Sequence, residues 1–485
     1  MNKNLLLAIA ATAWLFTYAG AATISSDANS AVSAPSTGLD SVAVRASPTN
    51  DRAAMDQAAA GTPDRLHEPL FYHWSGCKFE DLHPVVITVP PITRPHPRIL
   101  ITPEEMTAIK ADIAGKVQPR LSAWEHLQSQ AQLILKEKIE LPYTGNDTLI
   151  FYSHASSQMR RATELSLAWL VDGNQAYAAK AKEILLTWAR ATPLPGAKPS
   201  IDYRFPNAGM DVSRGTIGFI YVYDALYNDL SLAECTEVET WFRSLLPVIY
   251  TGIKRWDTAW ATWPAAKTNH NWVVSRDPHT PAYFGGQYYQ NHLVAHALGL
   301  LTIGYALGDR GLVQFAVDSL ENPRDLIELI NGMILMKDKP SFSKNDKMPR
   351  QDGEMADRYR HGAGEMKGLG YAMLSFDEML VMTETLHRNG LNLYDYVGTH
   401  GETMEKPFTF YADFVRLKDS SIKGGYYSGE KVSGDTARYE IGNLRYPGNS
   451  DIEALLRSVD RTASENSGLL GYPNLIYGRP LAVLH

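Results

Sequence analysis

From Thr102 onward the apolar residues recur at helical spacing. Met159, Ala162, Leu165 and Trp169 fall on one face of a helix that closes at Val171-Asp172-Gly173-Asn174, and Tyr177, Ala181, Ile184, Leu185 and Trp188 mark the next helix. Together they predict a helical hairpin. A similar unit runs over residues 292–307, turns at Gly308-Asp309 and returns over 312–320. A third is expected at 374–387, with its turn at Arg388-Asn389-Gly390. Thr102-Pro103-Glu104-Glu105 supplies an N-cap, a proline at the first helical position and a capping-box glutamate, so a helix starts there. Beyond Pro407 the pattern weakens: Lys423-Gly424-Gly425-Tyr426-Tyr427 reads as a turn, and residues 451–458 as one more amphipathic helix. No alternating run is long enough for a β-domain. Hairpins repeated at long spacing predict an all-α fold, an α/α toroid built as an incomplete barrel, with an irregular helical bundle as the alternative.

The N-terminus follows a different pattern. Lys3, the apolar run 5–16 and the small residues Ala19-Gly20-Ala21 predict a signal peptide over 1–21, and hence a secreted or periplasmic protein. That run is too short to span a bilayer, and no later stretch approaches the roughly 18 to 20 apolar residues a membrane helix needs. Residues 22–69, rich in Ala, Ser, Asp, Thr and Gly without periodicity, are expected to be a disordered spacer. Folding is expected to begin near Leu70, with Phe71, Tyr72 and Trp74 followed by a proline-punctuated extended segment over 84–97, giving one domain over 70–485.

Composition narrows the partners. A chain of 485 residues, 45% hydrophobic and 20% charged, can bury a large core. Its net charge of -7 argues against a general affinity for nucleic acid, so an anionic ligand needs a local basic pocket. Cys77 and Cys235 allow at most one disulfide and exclude a zinc ribbon. A monomer is expected. Asn146-Asp147-Thr148 is a glycosylation sequon, relevant only in a eukaryotic secretory pathway.

Two polar constellations could carry chemistry. The first is Thr268-Asn269-His270-Asn271-Trp272 with Gln287-Tyr288-Tyr289-Gln290-Asn291-His292, followed at once by an apolar helix. Amides and imidazoles at a helix start suit an anion such as a carboxylate, because free N–H groups and the helix dipole point the same way. The structural alternative is that Asn291 caps the helix and His270 or His292 is a satisfied buried histidine. The second is Asp352-Gly353-Glu354, Arg358-Tyr359-Arg360-His361 and then Tyr371 at the head of a helix over 372–385. Arginine offers a bidentate fork for a carboxylate and can bias a nearby tyrosine toward phenolate, as proton abstraction from carbon requires. There is no Gly-x-Ser-x-Gly elbow, Walker loop, dinucleotide fingerprint or His-Glu-x-x-His helix. His292 and His296 have the spacing of a metal pair but lack a carboxylate at a ligand-like offset, so neither metal nor cofactor is expected.

Ala168-Trp169-Leu170-Val171-Asp172-Gly173-Asn174, Gln290-Asn291-His292 leading into a helix that ends Ala306-Leu307-Gly308-Asp309, and Asp352-Gly353-Glu354 followed by Tyr371 together resemble the alginate lyase superfamily of α/α-toroid polysaccharide lyases. The resemblance covers roughly residues 97–459 and is strongest to polysaccharide lyase families five and thirty-eight, whose members cleave alginate or glucuronan. It implies β-elimination on a uronic acid polymer, with an Asn and an Arg neutralising the C5 carboxylate so that C5–H can be removed and the O4 bond broken. Carried over, Asn291 and His292 match the Asn-His motif and Tyr371 the catalytic tyrosine. The position about two helical turns before that tyrosine, where such lyases place an arginine, is Gly364, and Arg360 or Arg358 stands in displaced. In mannuronate and glucuronate, C5–H and O4 leave from one side of the ring, so Tyr371 can be base and then acid. His292 then helps neutralise the carboxylate, or is itself the base if the substrate is an epimer. Asn269, His270, Asn271, Trp272, Tyr288, Arg358 and Arg214, the last following Asp211 and Ser213 in an expected helix start, are the candidate substrate-binding residues.

Two other classes compete. A glycoside hydrolase on the same toroid needs two carboxylic acids about 5 to 10 Å apart, for which Asp352 and Glu354 are the nearest candidates. A non-catalytic glycan-binding protein would use the aromatic and amide groups merely to hold sugar.

Overall fold

A computed structural model describes residues 87–481 apart from 146, 192–206, 263–288, 320, 323, 340–348, 362–365 and 463–465. The chain divides into two units, 1–51 and 52–485, and every described residue belongs to the second. The expected signal peptide and spacer, the start of folding near Leu70, Cys77, Asn146 and Gly364 all lie outside the described residues.

The second unit is all-α. Helix α1 (Pro103–Ala114) opens with the expected capping box, in which the Thr102 hydroxyl accepts from the Glu105 backbone and the Glu105 carboxylate from that of Thr102. α2 (Arg120–Ile134) follows, then α3 (Thr148–Asp172), started by Asp147 and closed by Gly173 at φ +76°, a left-handed turn that glycine adopts without strain. The chain reverses through Asn174 into α4 (Gln175–Ala191), the predicted hairpin.

α5 (Asn207–Leu226) is buried along all 20 of its residues, lying between α3 and α7 (Asn291–Leu307). A helix apolar on every side belongs inside, and α5 accordingly carries the few polar groups that reach the site from within. The sequence placed a helix start near Asp211 and Arg214. The helix begins at Asn207, so both residues sit in its interior. α6 (Leu232–Thr262) packs against α4, α5 and α7.

α7 is closed by Gly308 at φ +67° and followed by α8 (Arg310–Val317), the second predicted hairpin, and α9 (Leu326–Met333). A two-stranded antiparallel ribbon joins β1 (Ile334–Leu335) to β2 (Glu354–Met355), with Ile334 opposite Met355. β2 runs into a 3-10 helix (Ala356–Arg360) that packs on α10 (Gly368–Arg388). α11 (Glu405–Leu417), α12 (Ala437–Arg445), α13 (Ser450–Ser458) and the short α14 (Pro473–Ile476) complete the described chain. Arg388, buried at the end of α10, donates to Glu105 at 2.8 Å and to the Ile99 carbonyl at 3.0 Å, tying the last turn of α10 to the first turn of α1.

Among the described residues, Cys235 is a buried free thiol. No described helix is long and apolar enough to cross a membrane, and no described group of three His, Cys, Asp or Glu could hold a metal ion.

Candidate active site

α5, α7, the 3-10 helix and α10 meet at one place. Gly368, the first residue of α10, allows the closest approach: a Cβ there would lie 2.7 Å from the Arg358 carbonyl oxygen, so only glycine lets the 3-10 helix press against the α10 start. Glu430 accepts from the Gly368 and Leu369 backbone at 3.0 and 2.7 Å, satisfying two N–H groups of that first turn, and pairs with His361 at 2.7 Å. Tyr371 is the fourth residue of α10. The helix begins four residues before the expected 372 and six before the apolar run at 374, because glycine supplied no apolar signal and Glu430 caps it from far along the chain.

Three side chains converge around Arg360. Its Nη2 donates to Gln290 Oε1 at 2.8 Å and lies 3.4 Å from His292 Nε2, while its guanidinium sits over the Tyr371 ring, 3.9 Å from the centroid. His292 and Tyr371 are both half-buried; Arg360 is only 4% exposed. On the other side of the imidazole, His292 Nδ1 lies 2.7 Å from Asn207 Oδ1 at the start of α5. A guanidinium can only donate, so these contacts assign the ring as neutral, with the proton on Nδ1 shared with Asn207 and the Nε2 lone pair toward Arg360.

Behind this cluster lies a buried polar network. The Asp357 carboxylate accepts the Asn291 backbone N–H at 2.8 Å, the Asn291 side-chain amide at 3.1 Å and the Ser375 hydroxyl, with Arg360 Nε 3.7 Å away. Asn291 Oδ1 accepts from Arg214 at 2.9 Å, and Arg214 Nε donates to Glu378 on α10 at 2.5 Å. Burial opposes the Arg214 charge, yet the facing Glu378 carboxylate holds its pKa above the ordinary value. Burial pushes the Asp357 carboxyl up to about 7, against the hydrogen bonds from Ser375 and Asn291, with Glu378 adding to the rise.

The sequence expectations meet this geometry unevenly. Asn291, His292, Arg360 and Tyr371 are brought together. Asn291 was expected either to cap α7 or to meet a substrate carboxylate. The N-cap position belongs to Gln290, and the carboxylate that Asn291 meets is the protein's own Asp357; Asn291 is fully buried with both amide atoms engaged. The arginines Arg358 and Arg214, expected to bind an anionic substrate, are buried instead. Arg358 is fully buried, ion-paired with Glu354 and 3.9 Å from the Tyr426 ring centroid, which fastens β2 to the segment around Tyr426. Arg214 is interior to α5. With Glu354 buried in that pair and Asp352 exposed in the turn before β2, the two do not face each other across a cleft as a hydrolase pair would. His296 is fully buried on α7 and packs where a Cβ on Gly209 would fall. Asn269, His270, Asn271, Trp272 and Tyr288 lie outside the described residues.

Sequence reasoning quoted Gln290 in the first constellation without giving it a role, and it missed Asp357, Asn207, Ser375 and Glu378. Of these only Asp357, three residues before Arg360, had a local signal, the acidic residue next to a basic cluster.

The family model described as alginate lyase matches residues 151–422. No curated protein matches this chain. Among solved structures, a tyrosine-to-phenylalanine variant of alginate lyase A1-III from Sphingomonas species A1, complexed with a tetrasaccharide, is 14% identical with a TM-score of 0.54, covering 82% of this chain and 100% of that one. A histidine-to-alanine variant of the same enzyme with tetrasaccharide is 15% identical, also at 0.54, covering 82% and 99%. An alginate lyase from Bacteroides ovatus is 12% identical at 0.49, covering 79% and 99%. The two A1-III structures carry the fold, an α/α toroid, as the repeated hairpins predict. The family match spans more than half of the chain and contains the whole cluster from Asn207 to Glu378, and this chain belongs to the alginate lyase family of polysaccharide lyases.

Proposed function

We propose that this enzyme is exported and cleaves a uronic acid polymer, glucuronan or mannuronate-rich alginate, by β-elimination. The observation that carries the reading is Arg360 set between His292 and Tyr371, the two half-buried titratable side chains of the cluster. A substrate carboxylate entering beside them is met by the Arg360 cation, joined by His292 once its Nε2 takes up a proton, and this acidifies the adjacent C5–H. Tyr371, biased toward phenolate by the guanidinium over its ring, takes the C5 proton. The C5–H electron pair forms the C4=C5 double bond as the C4–O4 bond breaks, and Tyr371 returns its proton to O4. Asn291 supports the reaction from behind, holding the α7 start next to His292. The neighbouring A1-III structures support the reading, since a tyrosine variant and a histidine variant were each solved with a tetrasaccharide.

The test is to incubate the purified protein with polyglucuronate, polymannuronate and polyguluronate and to follow absorbance of the conjugated double bond. A rise on one of the first two is expected. New reducing ends without that absorbance would mean hydrolysis, and binding without either would mean a lectin-like role.

A further inference from the structure

We propose that Asp357 is a positioning residue for the lyase reaction, one carboxylate that sets Asn291 and Arg360 against each other from behind the cleft. The inference rests on the proposed function above. Asp357 is fully buried and takes donors from two helices at once: the Asn291 backbone and amide at the start of α7, and the Ser375 hydroxyl one turn after Tyr371 on α10. It also stands 3.7 Å from Arg360 Nε on its own 3-10 helix. His292 follows Asn291 directly, and Ser375 Oγ lies 3.1 Å from the Tyr371 carbonyl oxygen. Each group assigned to the reaction is thus within one residue or one helical turn of an atom that Asp357 holds. A carboxylate suits this place because it only accepts, and every neighbour it touches donates. An amide would turn an N–H₂ toward one of those donors and would remove the negative charge facing Arg360.

The experiment compares wild type, Asp357→Asn, Arg360→Ala and the double variant on the polymer that wild type cleaves. Misplacing reacting groups by about 1 Å can cost on the order of a hundred-fold in rate. Asp357→Asn should therefore lower kcat about a hundred-fold while KM stays within about three-fold. Because part of its effect runs through Arg360, the double variant should lose clearly less than the product of the two single losses. A kcat near wild type, or losses that multiply in full, overturns the proposal. If Asp357→Asn does not fold, Ser375→Ala decides: it removes one donor from the same carboxylate and should lower kcat about three- to ten-fold at a temperature where melts show the variant still folded, whereas unchanged kcat overturns the proposal. A wild type that forms no unsaturated product on any uronate refutes both this proposal and the function it rests on. An active wild type with an unimpaired Asp357→Asn refutes this one alone.

Discussion

The Arg360 guanidinium lies 3.9 Å from the centroid of the Tyr371 ring, over its face. A cation there favours the phenolate over the phenol and is retained over a phenylalanine ring. Tyr371→Phe should therefore leave the packing and the substrate affinity within a few-fold while lowering kcat by about a hundred-fold or more, the usual contribution of a positioned acid–base group. Steady-state kinetics on the active polymer checks this, and more than about a tenth of the wild-type rate would remove Tyr371 from the base role.

The His292 tautomer depends on Asn207, the first residue of α5. Asn207→Asp should draw a proton onto the imidazole and raise its pKa, since a carboxylate favours the charged ring. NMR titration of the His292 ring is expected to show the rise. His292→Ala should lose turnover severely at nearly unchanged melting temperature. A large fall in melting temperature would instead make it a core histidine.

Arg358 and Arg360 are two residues apart and should fail in different ways. Arg358→Ala leaves Glu354 buried without its cation, which typically costs about 3–5 kcal/mol of stability. Arg360→Ala should chiefly lower kcat, because neutralisation of the substrate carboxylate matters most as charge develops in the transition state. Denaturant melts and kinetics on both variants separate the cases, and similar melting losses with similar kinetics would contradict the assignment.

Asp357 makes stability depend on pH. An unfolded aspartate titrates near 3.9, whereas burial raises the folded Asp357 to about 7. Between those values the folded state binds more protons, so this group's contribution falls as pH rises from about 4 to 7 and levels off above. The stability of wild type relative to Asp357→Asn should decline across that window, measured by paired melts, and parallel curves would refute it. Activity should run the other way, rising toward pH 7 and above as the charged carboxylate faces Arg360. Arg360 on the 3-10 helix and Glu378 on α10 are the charged groups that act on it.

The hairpins were readable because their apolar stripes are strong and their turns carry glycine at Gly173 and Gly308. The capping box at Thr102 was equally plain. α5 was harder to read: a helix buried on every side has no stripe, so Asp211 and Arg214 looked like a helix start rather than its interior. Asn291, His292 and Tyr371 could be singled out by residue type and neighbourhood. Their partners Asn207, Ser375 and Glu378 could not, since each comes from a separate helix and only tertiary packing brings it to the cluster.

The Asp357 carboxylate seated on the first N–H of α7 also bears on solution conditions. Helix starts commonly collect phosphate or sulfate, and such ions then compete with anionic substrates. Here the chain fills that position with an anion of its own that cannot diffuse away. Buffer phosphate and sulfate should therefore slow the enzyme no more than chloride at matched ionic strength, through general screening of the polyanion's approach.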